Sequence, residues 1–236
     1  MKRPFLTVRT VFTAFFLTVI FALLALLGGI PDRRGRLINW CARTWAGFLL
    51  FVNGVSISVT GLEQLQDNRQ YVFMANHQSA LDIPAIFVAL PFQVRMMAKK
   101  ELFRIPVFGW ALSLGGYIKI DRENRDRAIS SLQAAAERVV RRSESVVVFP
   151  EGTRSVSGKL NRFKKGGFMF ALDTGYPVVP VTIDGARDRT PHKELIIYPG
   201  KIAVTIGEPI PLEEYSAENR DELIARTFDT IEQNLR

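Results

Sequence analysis

The segment Asn76-His77-Gln78-Ser79-Ala80-Leu81-Asp82 places a histidine and a carboxylate five positions apart, between an apolar run at Tyr71–Ala75 and a helical pattern at Ile83–Leu90. A loop that enters a helix brings such a pair together within one turn. An imidazole whose Nδ1–H is held by a carboxylate is fixed in tautomer and more basic at Nε2, so it can take a proton from an alcohol. A substrate hydroxyl can then serve as the nucleophile without help from a serine. The spacing alone is weak evidence, because Asn76 or Asp82 capping a helix beside a surface histidine would give the same pattern.

A second loop, Phe149-Pro150-Glu151-Gly152-Thr153-Arg154-Ser155, comes directly after the strand-like run Val146-Val147-Val148. Gly152 permits close backbone approach to a ligand, Arg154 offers a planar fork for a phosphate, and Thr153 and Ser155 offer hydroxyls. Lys99 and Lys100 follow the run Val94–Ala98, and Arg122 follows Tyr117–Ile120. A turn with scattered surface charge explains any one of these. Several cations at successive strand ends favour an anion site.

The elements that must position these residues begin after Gly54. Strands are expected at Val55–Thr60, Tyr71–Ala75, Val94–Ala98, Tyr117–Ile120, Ser145–Phe149, Val178–Ile183, Leu195–Tyr198 and Ile202–Ile206. Helices are expected at Ile83–Leu90, Val107–Leu114, Arg125–Arg142, Lys165–Thr174 and Ala217–Leu235, with Gly175 ending the fourth. The alternation describes an α/β domain over 55–236, with a mostly parallel central sheet flanked by helices. Ligands of such sheets gather beyond the carboxyl ends of the strands, which is where His77, Lys99, Arg122 and Arg154 fall.

Residues 1–54 have a different character. Thr10 to Ile30 is uncharged and about as long as the ~20 residues that cross a bilayer core. Lys2, Arg3 and Arg9 flank it on one side and Arg33, Arg34 and Arg36 on the other, so the basic residues do not favour opposite sides of a membrane. Leu37–Val55 is apolar but broken by Arg43 and Asn53, with Trp40, Trp45 and Phe51 suited to the headgroup boundary. Together they suggest an N-terminal hydrophobic helical hairpin dipping into one leaflet, on the cytoplasmic side. A cleaved signal peptide fits poorly, since the run exceeds the usual ~7–15 residues.

The 236 residues carry 31 Lys and Arg against 23 Asp and Glu, a net charge of +8 that favours an anionic partner. Cys41 is the one cysteine, which excludes an intramolecular disulfide and a thiolate-rich metal site. One His and one Asp are too few for a closed zinc site, so no metal is expected. No basic stretch interleaved with aromatics suggests single-stranded nucleic acid. A non-enzymatic protein that binds anionic lipid would account for the charge and the apolar segment, but not for His77 and Asp82 in a loop facing Arg154.

Four motifs in order resemble the 1-acyl-sn-glycerol-3-phosphate (lysophosphatidic acid) acyltransferases of the glycerolipid acyltransferase superfamily. They are Asn-His-x4-Asp at Asn76, His77 and Asp82; Gly115-Gly116-Tyr117-Ile118-Lys119-Ile120-Asp121-Arg122; Phe149 to Ser155; and Val179-Pro180-Val181. Ala98–Leu102 and Phe163–Gly166 look like further family segments, so the resemblance covers about Tyr71 to Pro209. It implies His77 as general base and Asp82 as its orienting partner. It places Glu151, Gly152, Arg154 and Arg122 around the glycerophosphate, Lys99 or Lys100 near the reacting carbonyl, and Pro180 on the acceptor side. The implied reaction moves an acyl chain from acyl-CoA or acyl-carrier protein, as donor substrate with no cofactor, to the sn-2 hydroxyl of lysophosphatidic acid, forming phosphatidic acid. Glycerol-3-phosphate or another lysophospholipid is the alternative acceptor. The expected location is the cytoplasmic face of the bacterial inner membrane.

Overall fold

The structure, a computed structural model, describes every residue except Met1, Pro31, Arg33, Arg34, 122–124, His192, Lys193 and Arg236. Seven strands form one sheet: β1 (Val55–Thr60), β2 (Val72–Ala75), β3 (Val94–Lys99), β4 (Ile118–Ile120), β5 (Ser145–Val148), β6 (Val178–Asp184) and β7 (Gly200–Ile206). Their spatial order is β1-β7-β6-β2-β5-β3-β4, and every pairing is parallel except β6 with β7. This order makes β2, β5, β3 and β4 consecutive parallel neighbours. Their carboxyl ends therefore open on one edge, and the loops carrying His77, Arg154 and Lys99 leave the sheet side by side.

Helices cover both faces: α1 (Lys2–Gly29), α2 (Arg36–Val52), α3 (Asp82–Ala89), α4 (Phe108–Leu114), α5 (Arg125–Arg142), α6 (Lys165–Thr174), the short α7 (Ala186–Arg189) and α8 (Arg220–Asn234). Because strand side chains alternate, Phe73, Ala75 and Val147 join the core beneath α2 and α3, whereas Val72, Met74, Val146 and Val148 join the core beneath α5, α6 and α8. Burial on both faces explains why these strands read as continuous apolar runs in the sequence.

The first two helices form an antiparallel hairpin, with Trp45 Nε1 donating to Thr18 Oγ1 at 3.2 Å. The polar residues that interrupt the apolar segments fasten this hairpin to the sheet domain. Asn53 is fully buried; its Oδ1 accepts from Arg9 Nε and Thr10 Oγ1, and its Nδ2 donates to Leu49 O and Thr13 Oγ1. Arg43 donates to Leu90 O at the end of α3. At the hairpin's turn, a Cβ on Gly35, whose φ is +64°, would collide with Arg95 Nη2. Arg95 is itself buried against Glu144 at 2.9 Å.

Leu195–Tyr198, expected as a strand, is not one. Ile197 N donates to Thr10 Oγ1 at 2.9 Å and Ile197 O accepts from Arg9 Nη2 at 3.1 Å, so α1 takes backbone groups that a neighbouring strand would otherwise have paired. The other strands and helices lie where expected to within one to three residues.

Asn53→Ala removes a hub of four hydrogen bonds and leaves the Thr10 and Arg9 donors short of an acceptor. It should cost ~1–3 kcal/mol, read as a lowered thermal midpoint in detergent micelles. An unchanged midpoint would show that apolar packing alone docks the hairpin.

Candidate active site

The loop after β2 is built around Asp82, the first residue of α3. Its side chain has no exposed surface, and Oδ2 accepts from Gln78 N at 2.7 Å, Ser79 N at 2.8 Å and His77 Nδ1 at 2.8 Å. An oxygen already taking two backbone N–H bonds acts as an acceptor, which assigns the imidazole proton to Nδ1 and leaves Nε2 for a substrate. The ring lies against Phe149, with centroids 4.3 Å apart and planes at 24°. That contact fixes its second axis. Asn76, the first residue of the motif, stays within the fold: its amide bridges Ile183 N and O at 2.7 and 2.9 Å, pinning the end of β2 to β6.

Glu151 joins this loop to the one after β5. Its Oε1 accepts from His77 N at 2.6 Å and its Oε2 from Asn161 N at 2.9 Å. Burial raises its pKa, and the backbone bonds from His77 and Asn161 act against the rise. A carboxylate with both oxygens committed to backbone donors is a clamp on the two loops, a different use from lining a phosphate. Ser155 N adds a bond to His77 O at 2.7 Å, which sets Arg154 one residue from the junction with its side chain exposed beside Thr153.

A cavity of about 1440 Å³ opens in front of His77. Lys99, Gly152 and Lys164 line its polar end, and α1, α2, β3 and α4 supply apolar walls that include Phe15, Ala22, Trp45, Met96 and Phe108. Of the two candidate lysines, Lys99 lines this cavity and pairs with Glu101 at 3.6 Å, whereas Lys100 does not line it and pairs with Asp121 at 2.9 Å. Arg122 lies outside the described residues.

Sequence reasoning assigned no role to Lys164. A Cβ on Gly152, whose φ is +74°, would stand 2.7 Å from Lys164 Nζ, so the glycine makes room for this ammonium beside the loop. Lys164 makes no ion pair among the described residues. The segment Phe163–Gly166 was the available signal, since it follows the Gly152 loop and carries adjacent lysines. The apolar walls had no sequence signature, because they come from elements distant along the chain.

The family model described as Acyltransferase matches residues 56–184, more than half of the chain. The 1-acyl-sn-glycerol-3-phosphate acyltransferase of Saccharomyces cerevisiae is 32% identical over 224 residues, covering 94% of this chain and 72% of its own. The chain belongs to the 1-acyl-sn-glycerol-3-phosphate acyltransferase family. A relative of that name from Cocos nucifera is 34% identical over 188 residues, 80% of this chain and 60% of its own length. The crystal structure of the 1-acyl-sn-glycerophosphate acyltransferase PlsC from Thermotoga maritima matches with a TM-score of 0.84 at 27% identity, over 99% of this chain and 94% of that one. Within this acyltransferase fold, His77, Asp82, Glu151, Gly152 and Lys99 converge on the cavity or brace its loops, whereas Thr153 and Arg154 are exposed and do not line the cavity.

Glu151→Gln puts an amide N–H against one of two backbone N–H groups, with Glu151 itself 2% exposed. The expected result is a loss of ~1–3 kcal/mol in stability together with a lower kcat, since the loop holding His77 loses its tie. Retained stability and turnover, measured by thermal melting and acylation assay, would refute the clamp.

Proposed function

We propose that this acyltransferase moves a fatty acyl group from a thioester, acyl-CoA or acyl-carrier protein, to the sn-2 hydroxyl of 1-acylglycerol-3-phosphate. The observation that carries this reading is the His77–Asp82 pair at 2.8 Å facing a large apolar cavity. Nε2 of His77 takes the hydroxyl proton as the oxygen attacks the thioester carbonyl. The C–S bond then breaks, and the same proton goes to the leaving thiolate. Lys99 meets the charge that develops on the carbonyl oxygen, and Arg154, Arg122 and Lys164 hold the acceptor phosphate. Aligning the two substrates and stabilising the oxyanion supply the remaining acceleration.

The cavity favours an acceptor that carries an acyl chain. Its volume exceeds the ~300–1,000 Å³ of a typical small-ligand site, and most of its wall is hydrocarbon. The donor's acyl chain needs apolar wall with either acceptor, and a cavity of this size has room besides for a lysolipid tail, which glycerol-3-phosphate lacks.

The hairpin holds the enzyme at one membrane face. By length and composition α1 could cross a bilayer. Both of its ends nevertheless touch the sheet domain: Arg9 and Thr10 bind Ile197, and a Cβ on Gly29 would stand 2.8 Å from Leu114 of α4. A helix tied at both ends to a water-soluble domain lies along its surface. The exposed Phe5, Phe12, Phe15, Leu23 and Leu27 of α1, with Trp110 of α4, form the apolar face that enters the leaflet.

His77→Ala should lower kcat by ~10²–10⁴-fold with little change in thermal midpoint, and Asp82→Asn should also be severe because it misdirects the tautomer. Near-normal turnover in either variant, assayed with lysophosphatidic acid and acyl-CoA in mixed micelles, would sink the base assignment. For topology, Lys2→Cys and Arg36→Cys in a Cys41→Ser background should label from the same side of sealed vesicles. Labelling from opposite sides would establish a span.

A further inference from the structure

The exposed edge of the sheet borders a second cleft, of about 930 Å³, which the transfer step leaves unused. Lys100, Arg104, Lys119, Arg138 and Arg141 line it, and Asp121 is the one acidic residue among its described lining. These cations come from separate elements: the 3-10 turn Lys100–Arg104, strand β4 and helix α5. A lysine on an edge strand blocks pairing with other chains, which accounts for Lys119. It does not account for arginines from a turn and a helix facing the same hollow.

Among the described residues, Arg104, Lys119, Arg138 and Arg141 of the cleft outnumber the acidic side chains that reach them. Asp121 pairs with Lys100 at 2.9 Å, and Glu137 reaches Arg141 at 3.8 Å with both side chains mostly exposed, a weak pairing in water. Arg138 donates to Gly116 O, and its Nε is buried with no partner among the described residues. Burial lowers the Arg138 pKa, and Arg142 and Arg95 push it further down against the opposing effect of Glu144. A bound anion would relieve that crowding.

The cleft also adjoins the catalytic cavity, since Tyr117 and Asp121 line both. We propose that it holds the nucleotide end of a coenzyme A thioester, with the diphosphate and 3′-phosphate on Arg104, Lys119, Arg138 and Arg141 and the pantetheine arm running past Asp121 towards His77. This rests on the thioester-dependent transfer described above. The acceptor phosphate does not fit here, because it is only one carbon removed from the sn-2 carbon whose hydroxyl must reach His77. The size falls within the ~300–1,000 Å³ of small-molecule sites, whereas a carrier protein would cover ~800 Å² of surface per partner. A compact polyphosphate is the better match in charge and in shape.

The test is the triple variant Arg104→Glu, Lys119→Glu, Arg141→Glu; Arg138 stays in place because it supports Gly116. Steady-state kinetics would compare palmitoyl-CoA, palmitoyl-3′-dephospho-CoA, palmitoyl-pantetheine and palmitoyl-carrier protein as donors. The expected result is a KM for palmitoyl-CoA raised ~10-fold or more, a smaller rise with the dephospho donor, and less than ~2-fold change for palmitoyl-pantetheine and for lysophosphatidic acid. An unchanged KM for palmitoyl-CoA overturns the proposal, as does an equal rise with palmitoyl-pantetheine. A rise confined to the carrier-protein donor overturns it by assigning the cleft to a protein. The wild-type enzyme separates the two readings: no transfer from any thioester refutes the acyltransferase mechanism, whereas transfer from every donor except palmitoyl-CoA refutes the nucleotide site alone.

Discussion

The buried carboxylate of Asp82 organises the loop on which the chemistry depends. A carboxyl group with no exposed surface needs donors in place of water, and here Oδ2 collects two backbone N–H groups and the imidazole Nδ1, while Oδ1 is buried with no partner among the described residues. The same bonds that satisfy Oδ2 therefore also set the loop's shape and the histidine's tautomer. Its place at the start of α3 adds a favourable helix dipole. Because stability and orientation come from the same bonds, the His77 ring is fixed in position before any ligand arrives.

Neighbouring interactions extend this rigidity outward. Asn76 locks the end of β2 to β6, Glu151 ties the loop after β5 to the backbone of His77, and Phe149 stacks on the ring. Residues that look like a string of polar functional groups thus divide their work. Those whose side chains turn inward satisfy backbone groups and hold the loops. Those that line the cavity or face outward, His77, Lys99, Lys164 and Arg154, are the ones to which the proposed reaction assigns the substrate contacts. The division follows from burial, since a polar side chain beneath the surface must spend its hydrogen bonds on the fold.

The N-terminal hairpin belongs to the same machine. Its helices form much of the apolar wall of the cavity in front of His77, and its polar interruptions dock it on the sheet domain. An anchor joined through a flexible linker would leave the distance from membrane to active site undefined. On the membrane placement proposed above, a hairpin that is itself a wall of the site sets that distance by packing. A lysolipid could then keep its tail among side chains throughout transfer, sparing the cost of exposing the chain to water.

Much of this was legible in the residues alone. The apolar runs are buried on both sheet faces, so strand positions came through, and α5 and α6 coincide with their expected bounds because apolar spacing, and for α6 the stop at Gly175, are local signals. His77 and Asp82 were readable because five residues across a helix start leave little freedom in how they meet. Other features belong to the tertiary structure. Leu195–Tyr198 has a strand's composition, yet its backbone groups are claimed by Arg9 and Thr10 from the far end of the chain. Glu151 reads as one more polar residue in a phosphate loop until its two oxygens are seen on the amides of His77 and Asn161. Arg43 and Asn53 look like flaws in an apolar helix until their partners appear. Local sequence determines what a segment prefers to be. Which distant groups are brought within hydrogen-bonding reach depends on the order in which the strands assemble, and that order is written in no single segment.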